Sequence, residues 1–128
     1  MVNIHDSNYT RKLLGCAFEV HTALGPGLLE SVYEEALSYE LRQQGFLVEH
    51  QLPVNLEYKG QTLDTTLRLD LLVDNAVILE LKSVGELQPL HFKQLQTYLN
   101  LTGIHLGYLI NFNVVSLKDN IHQMVNNY

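Results

Sequence analysis

The chain holds 128 residues, of which 46% are hydrophobic and 17% charged. That length and balance fit one globular domain and exclude disorder, collagen and a disulfide scaffold. A count of 14 Asp and Glu against 8 Lys and Arg gives a formal net charge of -6, which argues against a nonspecific polyanion binder or a polybasic membrane-surface role but leaves room for a local phosphate site.

The single Cys16 can form neither an internal disulfide nor a cysteine-rich metal cage, and its apolar helical stripe makes it a buried thiol suited to a reducing cytoplasm. The N-terminus lacks the charged start and apolar run of a secretory signal. No stretch approaches the roughly 20 apolar residues that span a bilayer. The expectation is a cytoplasmic chain with no membrane partner, and the lack of repeats or Pro/Gly/Ser-rich linkers makes residues 1–128 one continuous domain.

In chain order, a first helix is predicted from the Asp6/Ser7 cap, with Leu13, Leu14, Ala17, Phe18, His21 and Leu24 on one face. Gly25, Pro26 and Gly27 break it. A second helix is predicted over Leu28 to Gln44, since Leu29, Val32, Tyr33, Ala36, Leu37 and Leu41 recur at helical spacing and Gly45 can cap the end. FLVEHQ and PVNLEY read as extended, with Pro53 at an edge or bulge and Lys59-Gly60 as a turn. TLRLDLLV and AVILELK supply two strands about the turn-forming Asp74 and Asn75. Pro89 opens a third helix to about Thr102, Gly103 caps it, and GYLINF follows as the last strand. A short helix over about Ser116 to Val125 is expected to close the chain, before a polar tail of Asn126, Asn127 and Tyr128.

The two central strands carry the chemistry. If Asp74, Asn75 and Ala76 form a three-residue loop, Val73 faces Val77, and Asp70 falls opposite Glu80 on the same sheet face. Like charges roughly 5 Å apart are destabilising, so the pair needs a cation, a shared proton or a shifted register. A divalent metal meets that need, and hard oxygen ligands select Mg2+ or Mn2+. Strand alternation returns Lys82 to the same face, where its ammonium can steady a water or a phosphate. An arbitrary E-x-K strand more often lies on the solvent side of a hairpin. Here VILEL and LRLDLLV are apolar on both parities, as in a strand buried on both faces.

Asp70, nine residues, then Glu80-Leu81-Lys82 resembles the signature of the PD-(D/E)XK nuclease superfamily. GLLESVY at Gly27 to Tyr33 matches the motif that names its GxxExxY family. LGPGLLESVYEEAL, YKG, RLDLLV, VILELKSV, HFKQLQTYL and LINFN occur in the order that family shows, over nearly the whole chain, although Leu69 stands where the superfamily has proline. The resemblance implies an α/β, restriction-endonuclease-like core of order αβββαβ. A mixed central sheet would be flanked by helices, with an extra N-terminal helix and a short C-terminal helix. It also implies Asp70 and Glu80 as metal ligands, Lys82 as the catalytic lysine and Glu30 at the helical motif-one position.

Glu30 lies in the first turn of its helix, where it is either a capping charge or part of the site. Tyr33, one turn on, either bonds toward the site or fills the core, with packing the simpler reading. His91, Gln94 and Tyr98 form one polar stripe beside Leu95 and Leu99 that could touch nucleic acid, and Gln94-x-x-x-Tyr98 resembles the QxxxY element of RecB-type nucleases. His91 reads as a polar neighbour rather than a ligand, and His5, His21, His50, His105 and His122 show no ligand spacing. The expected activity is metal-dependent hydrolysis of nucleic acid, with DNA before RNA as substrate. The alternative is a non-catalytic nuclease-fold module for binding or assembly, working through a protein partner. The scattered basic residues suit that alternative, the converging charge set suits the enzyme, and a homodimer would widen the footprint of either.

Overall fold

A computed structural model describes residues 2–126 of the chain. Helix α1 (Ser7–Leu24) starts behind Asp6, whose carboxylate accepts the Asn8 N–H at 2.9 Å and so satisfies a donor that a helix start leaves open. Its buried stripe is Leu13, Cys16, Ala17 and Val20, while Phe18 and Leu24 stay exposed. Burial pushes the Cys16 thiol up to about 11, as expected of an inert core cysteine.

Helix α2 (Glu30–Gln43) begins two residues later than its apolar spacing suggests. Leu28 and Leu29 belong to the preceding loop, where the Leu28 N–H and the Gly25 carbonyl are both held by the Tyr33 hydroxyl, at 3.2 Å and 2.5 Å. The buried stripe of α2 is Tyr33, Glu34, Leu37, Ser38 and Leu41, which turns Leu29 and Val32 outward and brings a carboxylate inward.

Strand β1 (Val48–Pro53) lies at one sheet edge, as Pro53 requires. Strands β2 (Leu56–Tyr58) and β3 (Gln61–Leu63) form a separate small hairpin about Lys59 and Gly60, whose φ values of 50° and 80° supply the left-handed turn. Strands β4 (Arg68–Val73) and β5 (Val77–Lys82) follow. Helix α3 (Pro89–Thr102) then crosses to β6 (Leu106–Asn111), and Gly103 closes that helix at φ 72°.

The five-stranded sheet has the order β1-β4-β5-β6 and then the C-terminal strand. Only the β5–β6 pair is parallel, because α3 supplies the crossover that a parallel pair needs. One face carries Leu71, Val73, Leu79, Leu81 and Ile110 against α1 and α2, and the other carries Leu72, Ile78 and Leu109 against Leu95, Tyr98 and Leu99 of α3. No helix among the described residues is long and apolar enough to cross a membrane.

The expected C-terminal helix is not formed. A 3-10 turn (Lys118–Asn120) leads into β7 (Ile121–Val125), antiparallel to β6. Strand β6 is buried throughout, so its outer backbone groups would be costly to leave unpaired. Segment 121–125 also alternates, with Ile121 packed on the α1/α2 side and Met124 on the α3 side, a period of two that suits a strand. Asn126, expected in a polar tail, is buried, and its N–H donates to the His105 carbonyl at 2.7 Å. The rest of that tail, Asn127 and Tyr128, lies outside the described residues.

Helix α3 seats on β6 at Gly107, where an added Cβ would lie 2.9 Å from Leu95 Cδ1 and 3.3 Å from Leu99 Cδ2. Both leucines are fully buried. Gly107→Ala is therefore expected to cost about 1–3 kcal/mol through overpacking, read as a lower urea midpoint, and an unchanged midpoint would contradict this seating.

Candidate functional site

The β4–β5 hairpin pairs Val73 with Val77, Leu72 with Ile78 and Leu71 with Leu79, the register set by the three-residue turn at 74–76. Continuing that count puts Asp70 opposite Glu80, and there the backbone ladder stops. Two side chains take over from it. Glu80 Oε2 accepts the Asp70 N–H and Asp70 Oδ2 accepts the Leu81 N–H, each at 2.8 Å. The carboxylates thus hold each other's strand at the point where β4 and β5 separate. Glu80 is 3% exposed.

Neither carboxyl is at ease there. Burial raises Asp70 above the ordinary carboxylate range, and although the Leu81 N–H favours its charged form, the nearby charges of Glu34 and Glu30 raise it further. Burial likewise raises Glu80, the charge of Asp70 adds to this, and Lys82 pulls both acids only partly back. Lys82 ends β5 with its Nζ 3.4 Å from Gln94 Oε1, and Gln94 Nε2 donates to the Tyr98 hydroxyl at 3.3 Å. No ion pair within 4.0 Å joins Lys82 to either acid among the described residues; the one such pair is His50 with Glu34. A purely structural lysine neutralising the two acids is therefore not what the geometry shows.

The structure brings together Asp70, Glu80, Lys82, Gln94 and Tyr98, with Glu30 near enough for its charge to act on Asp70. It does not bring in His91, whose Nδ1 accepts the Gln88 N–H at 3.0 Å in the cap of α3. Tyr33 is fully buried and its ring stacks on Phe112 at 4.6 Å. Its hydroxyl bonds the loop before α2 rather than any of these side chains. The loop it holds is also pinned by Ser83, whose Oγ donates to the Leu28 carbonyl at 2.5 Å, and that pair of anchors fixes the start of α2 beside the end of β5.

Three contributors escape the sequence reading. Glu34, buried one turn after Glu30, accepts from Gln51 Nε2 at 2.5 Å and lies 3.0 Å from His50 Nε2. Gln51 Nε2 also reaches Asp70 Oδ1 at 3.4 Å. The buried Asn111 ties the segment after β5 to β6, accepting the Val84 N–H and donating to the Val84 carbonyl. For Glu34 a faint signal exists, since it recurs with Ser38 and Leu41 at helical spacing.

No group of three or more His, Cys, Asp and Glu side chains among the described residues is arranged to hold a metal ion by itself. Two converging carboxylates nevertheless fit Mg2+, which takes one or two protein oxygens and fills its remaining positions with water and phosphate oxygens. The donor chemistry suits such an ion. Both acids are all-oxygen ligands, and burial together with neighbouring carboxylates holds both above their usual range, a cost that a bound cation would offset.

The sequence profile of the PD-(D/E)XK nuclease superfamily matches residues 7–124, a span that includes every site residue named above. No curated protein and no solved structure gives a match. A five-stranded mixed sheet flanked by helices is consistent with the restriction-endonuclease-like fold of that superfamily.

Because folding raises both carboxyl pKa values, their protonated forms are favoured in the native state. The stability they contribute is complete below the ordinary carboxylate range and is lost as pH rises through the raised values. The metal-free protein is expected to weaken from about pH 4 upward through neutrality, at roughly 1.4 kcal/mol per pH unit for each proton lost. Glu80→Gln should flatten that slope in urea titrations run across the range. A wild-type slope that survives the substitution would show that the pair is not its source.

Proposed function

The chain belongs to the PD-(D/E)XK nuclease superfamily, and from that premise we propose that it hydrolyses phosphodiester bonds of nucleic acid, DNA before RNA, with Mg2+ or Mn2+ held by Asp70 and Glu80. Nucleases of this superfamily generally use divalent metals. The observation that carries the reading is the meeting of a buried and a half-buried carboxylate across one hairpin, beside a lysine held by an amide rather than by an acid.

A divalent ion bound there supplies positive charge against the scissile phosphate and lowers the pKa of a water. The chain's own residues supply the rest. Asp70 Oδ2 and Glu80 Oε2 each accept a backbone N–H, and Asp70 Oδ1 also lies 3.4 Å from Gln51 Nε2; the two carboxylates would hold the ion through their remaining lone pairs. Lys82, steadied by Gln94, offers its ammonium to the attacking water or to charge building on the phosphate. Tyr98 sets the orientation of Gln94 through its hydroxyl. Glu30 adds negative charge that strengthens the hold on the cation.

The GxxExxY family is the closer assignment, and each motif position has a physical role that supports it. Gly27 adopts φ 97° in the loop, Glu30 opens α2 with its charge toward Asp70, and Tyr33 secures the loop. The reading takes residues 1–128 as one nuclease domain working in the cytoplasm. It includes a homodimer, for which β7 offers an outer sheet edge with no Asp, Glu, Lys or Arg along it to oppose pairing. His91 is given no part beyond capping α3.

Purified protein is expected to cut nucleic acid with Mg2+ or Mn2+, tested on single- and double-stranded DNA and on RNA. Asp70→Asn or Glu80→Gln should remove both ion uptake and cleavage. Lys82→Ala should lower cleavage by about 100-fold or more while ion uptake, followed by calorimetry, is kept or improved by the loss of a neighbouring positive charge. No cleavage of any substrate by wild type, with Lys82→Ala merely less stable, would favour the non-catalytic binding module.

A further inference from the structure

Strand β1 breaks its own pattern at one residue. Its antiparallel register with β4 runs through Val48, Glu49 and His50, omits Gln51 and resumes at Leu52 and Pro53. The omitted residue stands opposite Asp70, and it holds a left-handed φ of 54°. For a glutamine this conformation is unfavourable, because its Cβ crowds the following carbonyl, and such strain persists only where surrounding structure enforces it.

The kink has a visible product. Consecutive residues of a regular strand point to opposite faces, yet His50 and Gln51 both reach Glu34, at 3.0 Å and 2.5 Å. The same Gln51 amide nitrogen lies 3.4 Å from Asp70 Oδ1. Gln51 therefore spans from an acid anchored in α2 to the acid that begins the β4–β5 opening. Glu34 is a firm anchor, being 6% exposed and held by His50 as well.

From this strain, the missing pair at an otherwise continuous register and the bridge, we infer that Gln51 is a positioning residue for Asp70. Backed by Glu34 and His50, it holds the Asp70 carboxylate in the rotamer that presents Oδ1 to a divalent cation. The inference rests on the metal reading of Asp70 and Glu80. Partners that orient a ligand in this way typically change metal affinity by about 10–100-fold when removed.

The test measures uptake of Mg2+ alone and of Mn2+ alone by isothermal titration, beside the melting temperature of the metal-free protein. Gln51→Gly relieves the backbone and deletes the bridge. Gln51→Asn tolerates the left-handed conformation but is one methylene too short to span Glu34 and Asp70. Both variants are expected to bind the ions about ten-fold or more weakly, while the melting temperature of Gln51→Gly holds or rises. Opposite movements of stability and affinity are what a purely structural glutamine would not give. Wild-type affinity in both variants would overturn this inference alone, as would a fall in melting temperature with affinity unchanged. Wild-type protein that takes up neither ion would overturn the metal reading and this inference together.

Discussion

Two carboxylates across the open end of one hairpin, Glu80 buried and Asp70 half-buried, set the terms for the rest of the molecule. Asp70 and Glu80 each accept a backbone N–H from the other strand, so they cannot turn away to solvent without breaking the seam between β4 and β5. Held there, they repel each other, and burial disfavours the charged form of both. Like charges in a low-dielectric site disfavour each other's ionisation without a compensating cation, and Lys82, bound to Gln94, compensates only in part. Under the proposed function, a bound cation would relieve the cost of holding this pair.

The surrounding devices keep that pair in place. Tyr33 and Ser83 fasten the Gly-Pro-Gly loop, one from the core and one from the end of β5, and so aim the first turn of α2 at Asp70. Asn111 locks the segment that follows Lys82 to the neighbouring strand through both its amide groups. Gly107 lets α3 close on β6, which brings Gln94 to Lys82 with the Tyr98 hydroxyl behind it. Every one of these contacts positions a backbone segment or a polar head, and the hydrophobic layers on the two sheet faces supply the rigidity that makes such positioning hold.

The hairpin was legible in the sequence because its rules are local. A three-residue turn and an alternation of two are enough to oppose Asp70 and Glu80 and to return Lys82 to their face. Gln94 and Tyr98 were legible as a helical stripe. Glu34 and Gln51 were hidden, since a glutamate in a charged helix and a glutamine on an edge strand look solvated until the helix and strand are brought together. The left-handed turn at Gln51 has no sequence mark, because glutamine is not a residue that favours it. Segment 121–125 misled for a similar reason. Nothing local says helix or strand there, and the deciding influence is the unpaired edge of β6, which exists only in the assembled sheet.

The most direct measurement is anomalous diffraction from crystals grown with Mn2+ at neutral pH. One strong anomalous peak within bonding distance of both Asp70 and Glu80, with Lys82 beside it and still held by Gln94, is the expected result. Ordered carboxylates with no peak between them, or a peak held by other residues, would contradict it.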